Sequence, residues 1–169
     1  MESLAWLQCV NGALKGRREH FQLIRLEKSF GPFCRQLFFL HRGEVLPELP
    51  GTAKNDVLEL QYQDFEELLA KENPEALNFV LLDGEHPVGR LVIEEKEGDI
   101  EILNFVMLPQ CRNRGLGGDL VLAMQEAASS QKNSLSIVIF KDNPSLDLFV
   151  RKGFTKQPIA DGYLRCRWS

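Results

Sequence analysis

The stretch VMLPQCRNRGLGGDL, residues 106–120, decides the fold. An apolar run ends at Pro109, a short basic loop with glycines follows, and an apolar helical pattern begins directly after the loop. The unpaired N–H groups of a first helical turn, together with the helix dipole, attract anions. The glycines let a ligand approach the backbone closely, and Arg112 and Arg114 add positive charge that suits phosphate. The stretch therefore predicts a strand–loop–helix unit that binds an anionic group.

Two other phosphate-binding patterns fail on these residues. The dinucleotide-binding fingerprint needs Gly or Ala three residues after its second glycine, and this chain has Leu120 there. The P-loop string, GxxxxGK followed by Ser or Thr, does not occur in the sequence. The remaining alternative to an anion site is a helix start whose glycines serve packing alone.

The pattern that fits is (Gln/Arg)-x-x-Gly-x-(Gly/Ala), here Arg112 to Gly117. At this point the chain resembles the GNAT family of N-acetyltransferases. A second match, from Asn143 to Phe154, resembles the family's segment that runs from an Asn to Leu-Tyr-x-x-x-Gly-Phe. The resemblance covers about residues 20–169. It implies the GNAT acyl-CoA N-acyltransferase fold, which is an α/β (α+β) domain with a mixed sheet.

The spacing of apolar and turn residues predicts the element order β-α-α-β-β-β-α-β-α-β-β. Strands are expected at 21–26, 79–82, 88–94, 100–108, 134–140, 154–158 and 163–168, and helices at 33–40, 57–71 and 115–130. A further short helix is expected to have Asn143 as its N-cap, Pro144 as its first residue and Gly153 just past its end. The strands between 79 and 108 indicate an antiparallel meander, and residues 43–51 indicate a loop.

Residues 1–18 are expected to form an N-terminal extension, either frayed or docked, ahead of a GNAT domain at 19–169. The length of 169 residues favours one domain besides this extension. The sequence does not fix the oligomeric state, and a homodimer is one expectation.

Composition excludes several classes of protein. A hydrophobic content of 44% and a charged content of 26% are those of a folded soluble domain. A net charge of -4 argues weakly against a nucleic-acid partner, and no apolar run reaches the ~20 residues of a membrane span.

The cysteines and histidines lack the spacing of a metal site, so no metal is expected. Widely spaced thiols and a start without a basic segment favour a reduced, cytoplasmic protein.

The resemblance implies acetyl-CoA as co-substrate and an amine as acceptor. The strand before the loop would offer backbone groups to the pantetheine arm, and the loop N–H groups would hold the pyrophosphate. Asn143 matches a residue that contacts the cofactor arm in the family, or it serves only as a helix cap. The expected cofactor-binding residues are Phe105, Val106, Met107, Arg112, Asn113, Arg114, Gly115, Leu116, Gly117, Gly118, Asn143, Phe149 and Lys152.

Direct attack of the amine on the thioester is the family's usual route, and it needs a base for the ammonium proton. Glu101 lies on the strand that leads to the loop, where some members carry a base glutamate; the alternative is an exposed carboxylate in an acidic stretch. Asn104 on the same strand would orient a water or the acceptor, or it is only a polar strand residue. Phe149 stands where the family often has the tyrosine that protonates the leaving thiolate, so the general acid is open. Neither Tyr62 nor Tyr163 has a spacing that singles it out as that acid.

The acceptor site is expected near the first two predicted helices, where Gln61, Tyr62, Glu66 and Glu67 provide an acidic wall or merely a solvated helix face. The leading hypothesis is an acetyl-CoA-dependent N-acetyltransferase that acts on a primary amine of a small molecule, a peptide or a protein. The alternatives are a non-catalytic CoA-binding or assembly module with this fold, and a transferase of another acyl group.

Overall fold

A computed structural model describes residues 3–46, 48–49 and 52–169. The helices are α1 (Ser3–Arg17), α2 (Gly31–Gly43), α3 (Ala53–Glu72), α4 (Leu116–Ser130) and α5 (Leu146–Arg151). The strands are β1 (Phe21–Arg25), β2 (Leu77–Asp83), β3 (His86–Lys96), β4 (Asp99–Met107), β5 (Ser134–Phe140), β6 (Thr155–Pro158) and β7 (Tyr163–Trp168).

All seven strands form one sheet in the order β1-β2-β3-β4-β5-β7-β6. Strands β1 to β4 pair antiparallel, which confirms the predicted meander. Strands β4 and β5 pair in parallel, and helix α4 connects them because parallel neighbours need a long crossover. One face of the sheet packs with α1 and α4 into the main core, and α2 and α3 lie over the other face. The predicted mixed α/β fold is confirmed.

The short helix α5 begins later than its sequence predicts. Its N-cap is Ser145 and not Asn143, whose Oδ1 accepts the N–H of Ser145 at 2.9 Å in a turn that precedes the helix. The helix ends as expected at Gly153, which has a φ of +85°. The N–H of Phe154 donates to the carbonyl of Phe149, and that of Gly153 to the carbonyl of Val150, so the last turn closes as a Schellman motif.

Helix α1 is docked, which agrees with one of the two alternatives for the N-terminal arm. Its buried face consists of Trp6, Val10 and Leu14, spaced four residues apart, and the ring of Trp6 packs 5.6 Å from that of Phe79. The side chain of Asn11 bonds both backbone groups of Leu23 on the edge strand β1, at 2.8 and 2.7 Å. These contacts cover an edge that would otherwise expose unpaired groups. Where the catalytic domain begins stays a prediction.

The other helices agree with their predicted positions, and α2 and α3 extend beyond the expected bounds. The predicted loop over 43–51 lies partly outside the described residues, since 47, 50 and 51 are not among them.

Candidate active site

Strands β4 and β5 separate towards their carboxyl ends. They pair only from Asp99 to Ile102 on β4, and beyond that point the rest of β4 pairs with β3 alone. The register explains the separation, because Val92 faces Asn104 while Ile93 faces Ile102, which leaves Leu103 as an extra, bulged residue. The bulge bends β4 away from β5 and opens a wedge, along which β4 has no strand partner on the β5 side within the described residues.

The loop after β4 leads into α4 through two left-handed residues, Asn113 with a φ of +57° and Gly115 with a φ of +81°. Gly115 is the N-cap of α4, and its carbonyl accepts the N–H of Asp119 at 2.9 Å. The N–H groups that precede Asp119 in the first turn have no acceptor within the helix. The predicted anion site therefore lies at the mouth of the wedge between β4 and β5.

The first turn of α4 is closely packed against its neighbours. A Cβ on Gly117 would lie 3.3 Å from Leu148 and 3.8 Å from the ring of Phe105, and one on Gly118 would lie 3.0 Å from Lys152 Cε. The fold thus brings together one residue of β4, the end of α5 and the glycines of the loop. Unpaired backbone N–H groups at this helix start, with Lys152 and Arg114 nearby, provide the donors and positive charge that phosphates of acetyl-CoA would need.

The two arginines of the loop have different surroundings. Arg112 donates to both carboxylate oxygens of Glu44, at 3.0 and 2.9 Å, and its Nε donates to the carbonyl of Met107 at 3.3 Å. It ties the end of α2 to the end of β4, and its buried Nη2 has no hydrogen-bond partner among the described residues. Arg114 is exposed, and its side chain forms no ion pair with any described residue. Of the two arginines, Arg114 is therefore the one whose charge is unpaired within the part of the chain that the structure describes.

Phe149 is part of the main core. Its side chain is 1% exposed and packs edge-on against Phe154, with ring centroids 5.3 Å apart. Leu148 in α5 and Lys152 just after its end are the residues that approach the start of α4. Asn143 is half-buried beside α5 and holds the turn described above.

The two predicted catalytic residues, Glu101 and Asn104, lie in different surroundings. Glu101 faces Glu94 across the paired part of the sheet, and Lys96 forms ion pairs with both carboxylates, at 3.3 Å for Glu101. Hydrogen bonds to Glu94 and Glu101 raise the pKa of Lys96. Asn104 lies beyond the bulge and lines a pocket to which Glu101 does not contribute.

That pocket has a volume of about 460 Å³ and lies between the sheet, α2 and α3. Of the residues expected near the acceptor, Gln61 lines it, Tyr62 packs on the ring of Phe38, Glu66 bonds to Arg90, and Glu67 is exposed. The lining residues are Cys34, Leu37, Phe38, His41, Arg42, Gln61, Asp64, Phe65, Leu68, Arg90, Asn104 and Val106.

Arg90 forms the floor of the pocket and is 4% exposed. Its guanidinium pairs with the carboxylate of Glu66, donates to Asn78 Oδ1 at 2.7 Å, and lies 5.7 Å from the centre of the Phe65 ring. Its charge is therefore largely neutralised inside the protein, as a buried charge requires. Sequence reasoning missed this residue, although an arginine inside an apolar strand is itself a signal of a buried ion pair.

His41 is the second residue that sequence reasoning missed in this role, because it was weighed only as a metal ligand. It is half-buried in the pocket lining, and its ring forms no hydrogen bond or ion pair with any described residue. Burial and the nearby charge of Arg112 lower its pKa below the usual 6.5. The imidazole is therefore neutral at pH 7, when it has a free acceptor nitrogen.

The sequence matches the acetyltransferase (GNAT) family over residues 43–154, which is about two-thirds of the chain. The chain therefore belongs to the GNAT family of acetyltransferases. As a member of that family it is an N-acetyltransferase that uses acetyl-CoA as co-substrate.

Solved structures of acetyltransferases share this fold. The PaiA N-acetyltransferase of Thermoplasma acidophilum, in complex with coenzyme A, has a TM-score of 0.67 and 10% identity, covering 87% of this chain and 97% of its own. An acetyltransferase of Thermus thermophilus has a TM-score of 0.61 and 22% identity, covering 87% and 94%. A mutant of the spermidine N-acetyltransferase SpeG of Vibrio cholerae has a TM-score of 0.57 and 14% identity, covering 89% and 92%. No curated protein matches the sequence.

Two further findings concern the described residues only. None of their helices combines the length and apolar character that a membrane-spanning segment needs. They also contain no group of three or more His, Cys, Asp or Glu side chains placed to hold a metal ion.

Proposed function

We propose that the chain transfers the acetyl group to a primary amine that binds in the pocket between α2, α3 and the sheet. The observation that carries this proposal is the position of β4 beyond its bulge. Asn104 and Val106 line the pocket, whereas Phe105 between them faces the first turn of α4. Because side chains alternate along a strand, the freed segment of β4 separates the expected cofactor cleft from the pocket.

The backbone N–H groups from Arg112 to Gly118, the side chain of Arg114 and the amino group of Lys152 would hold the phosphates of acetyl-CoA. The free edge of β4 from Phe105 to Met107 would pair with its extended arm. Bound acetyl-CoA supplies a thioester whose acyl carbon gains a C–N bond as its C–S bond breaks.

We assign the proton that leaves the acceptor ammonium to His41 in preference to Glu101. His41 opens into the pocket and is neutral at pH 7, whereas Glu101 lies outside the pocket lining and is paired with Lys96. A base must reach the proton directly or through one water, so position decides before pKa does. The second proton lost by the amine is transferred to the departing thiolate, which leaves as the thiol. His41 then releases its own proton to solvent.

Asn104 would orient the acceptor. Its side-chain amide forms no hydrogen bond with any described residue, although it lines the pocket. An amide offers both a donor and an acceptor, so it suits an amine in either protonation state.

Exposed charges of both signs line the pocket, the guanidinium of Arg42 and the carboxylate of Asp64, and we propose that Asp64 receives the cationic end of an amine with an apolar portion. Asp64 is exposed there and has no ion-pair partner among the described residues, and Phe38, Phe65 and Leu68 supply apolar wall. A polyamine and the terminus of a peptide both fit this description, and one structural neighbour is a spermidine N-acetyltransferase.

The experiment is acetylation of a panel of amines with acetyl-CoA, followed by the Asp64→Asn variant on the best acceptor. We expect KM for a cationic amine to rise roughly threefold or more, as for loss of one partly exposed charge pair. Glu67→Gln is the matched control, because Glu67 is an exposed carboxylate one turn further along α3 and outside the pocket lining. Equal KM values for both variants and the wild type would refute this location of the acceptor.

The remaining assignments rest on the sequence. We propose a cytoplasmic protein without a nucleic-acid or membrane partner, in keeping with four free cysteines and a net charge of -4. A homodimer is the proposed assembly, and light scattering coupled to size-exclusion chromatography tests it.

A further inference from the structure

Arg18, the first residue after α1, directly contacts the loop before α4 and the first turn of that helix. Its Nε donates to Asp119 Oδ2 at 2.7 Å, and its Nη2 donates to the carbonyl of Arg114 at 2.8 Å. The same Nη2 lies 3.0 Å from the point that a Cβ on Gly115 would occupy. One guanidinium thus binds the loop before α4 at Arg114 and the first turn of α4 at Asp119, and it lies close to Gly115 between them. Arg18 itself lies outside the range that matches the family, 43–154.

The core holds Arg18 in this position. The buried face of α1 anchors the helix, and Arg17 pairs with Glu126 two turns further along α4 than Asp119. Both arginines at the end of α1 therefore bind carboxylates of α4, one at the start of that helix and one in its middle.

The charge of Asp119 needs a partner here. A carboxylate in the first turn of a helix is stabilised by the dipole, but it also repels a second anion at the same place. The expected phosphate site is that same helix start. Asp119 and Arg18 are only partly exposed, at 24% and 38% of their side chains, so solvent screens the repulsion incompletely.

We propose that Arg18 cancels the charge of Asp119 and thereby makes the start of α4 able to bind the phosphates of CoA. The residue is a positioning residue, since it acts through Asp119 and through the Arg114 carbonyl. The proposal rests on the cofactor site proposed above.

The test is calorimetric titration of the full chain with CoA, which needs no acceptor and no turnover. We expect Arg18→Met to weaken binding by about three- to tenfold, and Asp119→Asn to strengthen it. The double variant should bind about as tightly as the wild type, because both charges are then gone. The loss in Arg18→Met should shrink as salt is added.

Arg17→Met is the matched control, because it removes a neighbouring arginine whose partner lies away from the helix start. Its Kd for CoA should equal that of the wild type. Steady-state kinetics should agree with the titration. In Arg18→Met, KM for acetyl-CoA should rise by the same factor as Kd, and kcat should change less.

Three results would overturn the proposal: wild-type affinity in Arg18→Met, a double variant as weak as Arg18→Met alone, or equal losses in both arginine variants. If Arg18→Met fails to fold, Asp119→Asn decides, since weaker or unchanged CoA binding there contradicts the role of its charge. A wild-type chain that binds no CoA refutes the proposed cofactor site instead, so the two failures are distinguishable.

Discussion

At the residue scale, the least predictable feature is the environment of His41. The anion site could be predicted from the residue types of the loop, because arginines and glycines at a helix start favour binding of phosphate. The role of His41 depends on the fold around it. Arg42 and Glu44 are close in sequence, but Arg112 comes from the loop, and Asp64 and Arg90 line the same pocket. Arg18 is similar, because its partner Asp119 lies 101 residues away in sequence.

The role of His41 predicts the acidic limb of the pH profile. Because its pKa is lowered, kcat/KM for the amine should fall only as the pH drops below 6.5 and the imidazole gains a proton. In His41→Gln we expect this limb to disappear and the rate at pH 7 to fall by about 10²-fold or more. Glu101→Gln should keep the limb. The opposite pattern, with the limb retained in His41→Gln and lost in Glu101→Gln, would return the base to Glu101.

The neighbouring charges of His41 predict two shifts of opposite sign. Glu44 raises the pKa of His41 and Arg42 lowers it. Glu44→Gln should therefore move the acidic limb to lower pH, and Arg42→Met should move it to higher pH. Profiles recorded at saturating acetyl-CoA separate this effect from changes in cofactor binding. A limb that stays at one pH in both variants would belong to another group.

At the element scale, the strands and the helices that cover them were predictable, but helix α1 was not. Strands β2 to β5 have long apolar runs bounded by turn residues, and such runs have few alternatives. Helix α1 contains Asn11, Gly12 and Gly16, which disfavour a helix in isolation, so its formation depends on packing against α4 and β1. A helix that depends on tertiary contacts is hard to predict, because its own residues have a low helix propensity.

The docking of α1 predicts a large loss of stability in Trp6→Ala. The side chain is 0% exposed, and its removal should lower the free energy of unfolding by about 3–5 kcal/mol. Leu4 on the same helix is 66% exposed, and Leu4→Ala should change that free energy by less than about 0.5 kcal/mol. Urea unfolding measures both, and similar small losses would mean that α1 is not part of the core.

The contact between α4 and α5 predicts the effect of a side chain at Gly117. A valine there would push against Leu148 and Phe105 and occupy the space where a ligand meets the first turn. We expect the Kd for CoA to rise about tenfold or more in Gly117→Val, which is about 1.4 kcal/mol. Gly12→Val is the control, since Gly12 is on α1 with open space around it. Unchanged CoA binding in Gly117→Val would remove the loop from the cofactor site.

At the scale of the whole molecule, the site depends on where two parallel strands stop pairing. The bulge at Leu103 separates β4 from β5, and this places the loop and α4 on one side of β4 and the pocket on the other. Sequence patterns predicted both strands and the loop, but not the bulge. A bulge shifts the apolar alternation by one residue, and here Phe105, Val106 and Met107 are all apolar, so the shift leaves no visible break in the pattern. The bulge also brings Glu101 and Asn104, which are three residues apart, onto the same face of the sheet, where Asn104 lines the pocket and Glu101 does not.

The measurement that tests the central claim most directly is acetyl transfer itself, with wild-type protein, acetyl-CoA and a panel of amines that includes polyamines and peptide termini. Mass spectrometry of the amine and titration of the released thiol should agree in amount. The account predicts at least one acetylated amine, with one CoA thiol released for each acetyl group transferred. Tight CoA binding without acetylation of any amine would contradict it, and the chain would then be a CoA-binding module.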